Sequence, residues 1–359
     1  MIDWTKSMQQ TYEYYKVDPG TWKNNELLDK VLSSSIKRDV NDETLGSASF
    51  ELTEDINECY VRTFLVATQN KLTERFPLGT HLCQSSQVTH DGKISKYPID
   101  GYTPLIELKE KCPPLGYSIA KGVNILDVAT RITRENVRAP VVNGKNTAVL
   151  TSDFVAETDD TWFTFLVDLL ACAKYEFGLD ELGRIIFVPI ADFASLRPIW
   201  TYTDDNSPIL QPEITIERDL FGIPNVVEVI YSNKESSSES NENYIYARAV
   251  NDDPNSPIST VNRGREIVNR ITDPEVNGIP NQDQLNDYAR QTLKNLSALE
   301  RTLTYTHGYC PVQVGDCVLL NYTRAGLNNV RARVTSQSIN CEAGCQVEET
   351  AVYTTNLWG

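Results

Sequence analysis

Apolar and polar positions alternate with a period of two over most of this 359-residue chain, giving way to a helical period in a few stretches. The most informative stretch is His307-Gly308-Tyr309-Cys310-Pro311-Val312-Gln313-Val314-Gly315-Asp316-Cys317-Val318-Leu319-Leu320-Asn321-Tyr322. Pro311 fixes its own φ, and Gly315-Asp316 is a turn dipeptide whose glycine tolerates positive φ. Beyond the turn, Cys317, Leu319 and Asn321 point one way while Val318, Leu320 and Tyr322 point the other, as in a strand with two largely apolar faces. This is the chemistry of a barrel or sandwich and not a catalytic signature.

The same reading extends along the chain. Residues 1–30 form an arm or helix, with Met8, Tyr12 and Tyr15 at i, i+4 and i+7 and Asp18-Pro19-Gly20 ending the run. Strands follow from Val31 to Tyr102, separated by Asn41-Asp42-Glu43, Leu45-Gly46, Phe76-Pro77-Leu78-Gly79 and His90-Asp91-Gly92, which suits a small antiparallel barrel. Lys109 to Gly116 breaks the pattern and marks a domain boundary. In the middle, Ile125, Val128, Ala129 and Ile132 recur at helical spacing behind Asn124 as N-cap. A second helix carries Trp162, Phe163, Leu166, Val167, Leu169 and Leu170, apolar over much of its circumference, with Thr158-Asp159-Asp160 placed to cap its first turn. Tyr175 to Pro189 reads as strand, turn and strand.

From Trp200 the chain returns to strands: Ile209–Glu217, Val226–Ser232 and Tyr244–Val250, the last two joined by the polar loop Lys234 to Asn243. A helix begins after Ile279-Pro280-Asn281, with Leu285, Tyr288, Ala289, Leu293 and Leu296 on one side. Strands at Leu303–Tyr305, Cys317–Tyr322, Arg331–Ser338 and Cys345–Tyr353 complete the chain. The predicted fold class is α+β and β-dominated. Two small antiparallel β-barrel domains (31–115 and 201–359) flank an α+β middle unit (116–200); an N-terminal arm (1–30) precedes them and helix 281–297 is inserted in the second barrel. Strand-rich regions on both sides of one α+β unit suggest an internal duplication.

Composition narrows the function. This length exceeds what one small core serves, so two or three domains are expected. No run approaches the roughly 20 apolar residues of a membrane span, and the first residues lack a signal-peptide pattern, so synthesis and residence in the cytoplasm are expected unless the protein travels inside an assembly. The 49 acidic and 33 basic residues give a net charge of −16, which repels phosphate and argues against tight nucleic-acid binding. Eight cysteines are scattered, mostly in apolar segments. Cys341 and Cys345 are the one close pair, either half a metal site or buried or loop thiols. Zinc needs about four ligands, and His81, His90 and His307 are not spaced as ligand pairs, which favours thiols. No metal or cofactor is expected.

Catalytic motifs are likewise not found. Asp159-Asp160, Asp204-Asp205 and Asp252-Asp253 are tandem carboxylates whose neighbours point apart, so helix caps or turns are the expected roles. No nucleophile elbow, zinc-protease helix, phosphate loop or dinucleotide fingerprint occurs. No residue is assigned as catalytic, cofactor-binding or metal-binding. Carboxylates converging from distant positions, as in glycosidases, escape this kind of reading.

The phrase Pro311-Val312-Gln313-Val314-Gly315-Asp316-Cys317-Val318 resembles the entry to a late strand in the tail-hub or baseplate-hub proteins of bacteriophages and their relatives in phage-derived injection machines and type VI secretion spikes. Phe221-Gly222-Ile223-Pro224-Asn225-Val226-Val227-Glu228-Val229 is similar to the strand opening that family's second barrel, and Ala249 to Ser259 to the loop after its next strand. Ile36 to Asp39, Gly46 to Leu52 and Val61 to Val66 resemble the first barrel. The resemblance implies a non-enzymatic structural hub: a homotrimer whose two barrels per chain make a ring of six positions adapting a sixfold tail tube to a threefold spike. Its implied partners are further copies of itself, the tail tube or distal tail-tube initiator protein, the central spike and the baseplate wedge proteins. DNA is implied only as passing cargo in a channel that an acidic wall would keep from sticking, and the location is the virion tail baseplate, assembled in the host bacterial cytoplasm. Some relatives carry a fused cell-wall hydrolase; ending at Gly359, just after the last strand, this chain is expected to have no room for one. The alternative is a tail-associated carbohydrate-active enzyme or sugar-binding module, which a deep aromatic cleft with two facing carboxylates would favour.

Overall fold

The computed structural model describes residues 2–85, 87–90, 92–142, 144–191, 193–204, 210–217, 219–232, 244–272, 274 and 280–358. In chain order its strands are β1 (Gln9–Val17), β2 (Asn24–Leu27), β3 (Val31–Asp39), β4 (Gly46–Leu52), β5 (Cys59–Gln69), β6 (Leu72–Ser85), β7 (Thr89–His90), β8 (Ser95–Tyr102), β9 (Ser118–Ile119), β10 (Phe154–Val155), β11 (Tyr175–Leu179), β12 (Ile185–Pro189), β13 (Pro198–Thr203), β14 (Leu210–Ile216), β15 (Val226–Ser232), β16 (Tyr244–Val250), β17 (Val268–Ile271), β18 (Ala298–Gly308), β19 (Cys317–Tyr322), β20 (Leu327–Asn340) and β21 (Gln346–Asn356). The helices are α1 (Ile106–Lys109), α2 (Ile125–Asn136), α3 (Trp162–Ala171), α4 (Thr260–Arg263) and α5 (Gln282–Leu296). Strands dominate, as predicted, and most pair antiparallel. The chain divides into two compact units, Met1–Ile214 with Thr304–Ala351 and Thr215–Leu303 with Val352–Gly359.

In the first unit one large sheet runs from β18 through β21, β20, β3, β4, β8, β6, β5 and β1 to β2, with β19 on β20 and β13 parallel to β19. The late strands thus continue the sheet of the early ones, through the β20–β3 register Ser336↔Asp39 to Asn340↔Ser35. Among the described residues no pairing closes this sheet into a barrel. β20 outruns the expected Arg331–Ser338, and its last residues make that junction.

Two sequence expectations are corrected here. Residues 9–17 are not helical: β1 pairs with β5 over nine positions from Gln9↔Thr68 to Val17↔Tyr60. Its tyrosines, Thr11 and Val17 suit a pleated surface, and a partner strand satisfies the backbone that the i, i+4, i+7 spacing would have satisfied within a helix. Asp18 ends the run as expected, its Oδ1 accepting from the Gly20 and Thr21 amides. Phe76-Pro77-Leu78-Gly79 is no strand separator either, since it lies inside β6, where the register against β5 shifts between Thr63 and Phe64. Proline and glycine mark a bulge there. The turn between β5 and β6 is instead Asn70-Lys71, both at positive φ, which fits a tight hairpin.

The middle helices pack into a dry core. α2 is capped by Asn124, whose side chain accepts from the Asp127 amide. α3 starts one residue later than the Thr158-Asp159-Asp160 reading places it: Thr161 is the N-cap and forms a reciprocal capping box with Thr164. Asp160 assists by accepting from the Thr164 hydroxyl at 2.8 Å. Phe163, Phe165, Leu166, Leu169 and Leu170 are buried with Leu126, Ala129 and Ile132 of α2, while Val167 is 40 % exposed. Phe163 stacks on Phe177 of the β11–β12 hairpin at 5.6 Å between centroids. The tip of that hairpin is stapled to the early strands: the Leu182 carbonyl accepts from Trp22 Nε1 (2.9 Å), Thr80 Oγ1 (2.9 Å) and Arg62 Nη2 (3.2 Å).

In the second unit a three-stranded sheet, β16-β15-β17, packs Val227, Val229 and Ala247 against Leu285, Ala289 and Leu293 of α5. Asn281 caps α5 with a second capping box. The helix predicted after Pro280 and the strands Val226–Ser232 and Tyr244–Val250 stand where expected; Ile209 and the loop 234–243 lie outside the described residues.

Candidate functional site

The densest group of chemically active side chains lies beneath the late strands of the first unit. β18 alternates Tyr305 and His307 inward and β21 alternates Val347, Glu349 and Ala351 inward, so period two puts a histidine, a tyrosine and a carboxylate on buried faces. β13 adds Tyr202, β20 adds Gln337, and the segment before the Gly315 turn adds Cys310. Each of the six is 0–2 % exposed.

The hydrogen bonds converge on Glu349. Its Oε1 accepts from the Tyr305 hydroxyl, and its Oε2 accepts from Gln337 Nε2 at 2.7 Å and lies 3.4 Å from His307 Nε2. His307 Nδ1 donates to the Gly308 carbonyl at 2.7 Å, and its Nε2 is 3.1 Å from the Tyr202 hydroxyl, which reaches Cys310 Sγ at 3.3 Å. Burial works against a charge on His307, but its hydrogen bonds with Cys310 and Glu349 outweigh it and push the pKa up to about 10. The imidazolium therefore faces a carboxylate it can neutralise. Burial, followed by the charge on Glu349, holds Tyr202 and Tyr305 well above the usual phenol range, so both stay protonated. Arg38 of β3 extends the network, donating to Gln337 Oε1 at 3.3 Å and to the Leu78 carbonyl at 2.7 Å.

Thiol, imidazole and carboxylate in sequence are the parts of a nucleophilic relay. Here they are sealed: Cys310 is 1 % exposed, and His307 and Glu349 are fully buried. The buried hydrogen bonds around them link β13, β18, β20 and β21. The motif that opened the sequence reading supplies this network with His307 and Cys310 and ends in the expected turn, with Gly315 at φ +95° and Asp316 Oδ2 accepting from the Gln313 amide at 2.8 Å. The strand is legible in the sequence, whereas the network is not. Its signal was a glutamate on the apolar parity of the last strand.

Of the tandem carboxylates, Asp160 and Asp253 make local contacts, while Asp204 ties the end of β13 to the residues after β19. Asp160 accepts near the start of α3, Asp204 accepts from the Thr323 hydroxyl at 2.7 Å, and Asp253 accepts from the Asn255 amide at 2.8 Å; Asp205 lies outside the described residues. Cys341 and Cys345 are buried free thiols whose pKa values burial pushes up to about 11 and about 12. Among the described residues no group of three or more His, Cys, Asp or Glu is arranged to hold a metal ion, and no helix is long and apolar enough to cross a membrane.

The second unit shows what the Phe221–Val229 and Ala249–Ser259 motifs do physically. Asn225, fully buried, donates to the Ile258 and Arg265 carbonyls at 3.1 and 3.0 Å and accepts from the Ile267 amide at 2.7 Å. Asn251 donates to Ser256 Oγ at 2.8 Å, and Ser259 caps α4. These asparagines fix loop shape.

No protein-family model matches the sequence, and no curated protein matches it. Solved structures do. The chain is similar to the tail protein from Neisseria meningitidis, with a TM-score of 0.60 and 16 % identity over 96 % of this chain and 97 % of that one. It is also similar to the 43 kDa tail protein of prophage MuSo2 from Shewanella oneidensis, with a TM-score of 0.58 and 11 % identity over 95 % and 98 % of the two chains. The resemblance read from short sequence motifs is thus borne out by structure over nearly the whole length: the chain has the fold of phage tail proteins.

Proposed function

We propose that this chain is a structural hub of a phage or phage-like tail baseplate. The observation that carries the reading is end-to-end likeness to tail proteins, at a TM-score of 0.60 over 96 % of the chain. The chemistry agrees: the thiol–imidazole–carboxylate group is sealed, and Asp160, Asp204 and Asp253 of the tandem carboxylates are engaged in structural hydrogen bonds. A non-enzymatic role follows, with neighbouring tail proteins as partners and the virion tail as location.

In the fuller form of this reading three chains make a ring. Each contributes two barrel-like regions, so that six positions face the tail tube and three subunits face the central spike, with distal tube and wedge proteins around them and DNA passing through. A closed ring also removes open sheet edges. Native mass spectrometry of the purified chain, alone and with its spike protein, should give three copies. A stable monomer or dimer in both cases would overturn the ring. A map of the same particle should place more of the −16 net charge on the inner wall than on the outer one, and a neutral or basic lumen would remove the conduit.

A further inference from the structure

β5 and β6 bring together two cysteines that the sequence holds far apart. Cys59 stands directly opposite Cys83 in the antiparallel register, next to the pair Tyr60↔Leu82. Beyond the cysteines the chains stay tied: Ser85 Oγ accepts from the Ile56 amide at 2.9 Å, and the Ser85 amide donates to the Ile56 carbonyl at 3.2 Å. The register is thus fixed on both sides of the pair, and the bulge between Thr63 and Phe64 lies away from it.

Directly opposed residues of an antiparallel ladder carry their side chains on one face, and both cysteines meet the same core. Cys83 is buried in it with Phe50, Leu65 and Leu78, and Cys59 packs against it. Opposed Cα atoms lie about 4.5 or about 5.5 Å apart, according to their position in the ladder, and a disulfide accepts about 4.4–6.8 Å. Opposed Cβ atoms, about 4.5–5.5 Å apart, need to draw in by about 1 Å to reach disulfide range. On its other flank Cys83 faces Gly101 of β8, where a Cβ would come within 3.0 Å of Cys83 Sγ. Cys59 is therefore the one side chain directly across from Cys83.

The two thiols differ in reach. Cys83 is 1 % exposed, and burial, with the Cys59 thiol nearby, pushes its pKa well above the usual thiol range. Cys59 is half-buried at the head of β5; burial raises its pKa as well, but Lys16 acts against the rise. Cys59 is thus the sulfur a soluble oxidant meets first, and Cys83 the one placed to resolve the product. Both are free thiols, the state a reducing cytoplasm maintains.

We propose that Cys59 and Cys83 are a dithiol that closes to a cross-strand disulfide when the protein passes from a reducing cytoplasm to an oxidising exterior, covalently joining β5 to β6. The change of compartment rests on the tail location proposed above; the pairing rests on the register and the shared core. The oxidant is a low-molecular-weight disulfide. The Cys59 thiolate attacks one of its sulfurs, the S–S bond breaks, and the leaving thiolate takes up the proton that Cys59 gave away. Cys83 then loses its proton and attacks the Cys59 sulfur of the mixed disulfide, releasing the second small thiol. Two cysteine thiols are oxidised by two electrons in all, and one small disulfide is reduced to two thiols.

The test exposes the full purified chain, first reduced, to glutathione disulfide at neutral pH, then alkylates the remaining thiols in denaturant before peptide mass mapping. The Cys59 and Cys83 peptides should be recovered joined, and the melting temperature should rise by ~3 °C or more over the reduced protein. Cys59→Ser, at the half-buried position, should stay folded and abolish the rise. Recovery of Cys59 as a glutathione adduct with Cys83 alkylated would overturn the pairing, as would alkylation of both or an equal rise in Cys59→Ser. For the compartment, thiols are alkylated in cells before lysis and, separately, in released particles; the joined peptides should appear only in the particles. Joined peptides in both samples, or in neither, would overturn the compartment switch. A chain absent from released particles would overturn the tail reading, whereas the purified chain decides the pairing by itself.

Discussion

Around α3, Phe163, Leu166, Leu169 and Leu170 pack with no side-chain polar atom to satisfy, whereas around β18 and β21 the buried space is filled by Tyr202, Tyr305, His307, Cys310, Gln337 and Glu349. Both regions belong to the first unit and both are closed to solvent. The helical core is held by area and shape, so losing one side chain leaves a void that its neighbours partly relax into. In the strand core each polar group is tolerable only because the others are present. One arrangement is forgiving in kind and the other is not.

The largest effect is expected from removing the carboxylate on which the polar core converges. Glu349→Ala leaves the His307 charge and the Tyr305 and Gln337 donors unmet, and should cost about 3–5 kcal/mol, read as a shift in the urea midpoint. A loss under 1 kcal/mol would mean that the network carries no strain when broken and that the two cores do not differ. Leu166→Ala, fully buried in α3, should cost about 2–5 kcal/mol through lost burial and a residual cavity. An unchanged melting temperature would place the helix at the periphery.

Proton linkage separates the regions further. His307 has a folded pKa of about 10 against about 6.5 in the unfolded chain. Its contribution is therefore complete below about pH 6.5 and is lost as pH rises toward 10. The melting temperature should fall over that window, and the fall should be reduced in His307→Gln. His81 has the opposite sign: with a folded pKa of about 3, its contribution is present above about pH 6.5 and is lost as pH falls. Burial holds Tyr60, the buried tyrosine of the apolar core, well above the usual phenol range, so the Leu166→Ala decrement should stay constant across the range. A decrement that varied with pH as steeply as that of Glu349→Ala would undo the distinction. The smallest effect is expected at Val167, on α3 but 40 % exposed, where Val167→Ala should change stability by no more than about 0.5 kcal/mol.

The two cores also differ in how far the sequence discloses them. Ile125, Val128, Ala129 and Ile132 at helical spacing, and the Trp162–Leu170 run, place the dry core directly, since each helix announces its buried face through its own period. Val226–Ser232, Tyr244–Val250 and Cys317–Tyr322 are equally plain because alternation is local. The polar core is spread over positions 202, 305, 307, 310, 337 and 349. Its members are 147 residues apart at the extremes, counting from Tyr202 to Glu349, and no local pattern relates them.

Local chemistry alone determined where α2 and α5 begin, because Asn124 and Asn281 are good caps at the head of an apolar stripe, and where the Gly315 turn lies, because glycine accepts positive φ. Tertiary structure decided the rest. It made a strand of residues 9–17 by offering β5 as a partner, absorbed Pro77 and Gly79 as a bulge in place of a turn, and joined the late strands to the early ones through β20 and β3. Each of these is a pairing between segments distant in the chain. Strand pairing gains its hydrogen bonds only after the loop between is closed, so its energy resides in the partner chosen and not in the sequence of either strand alone.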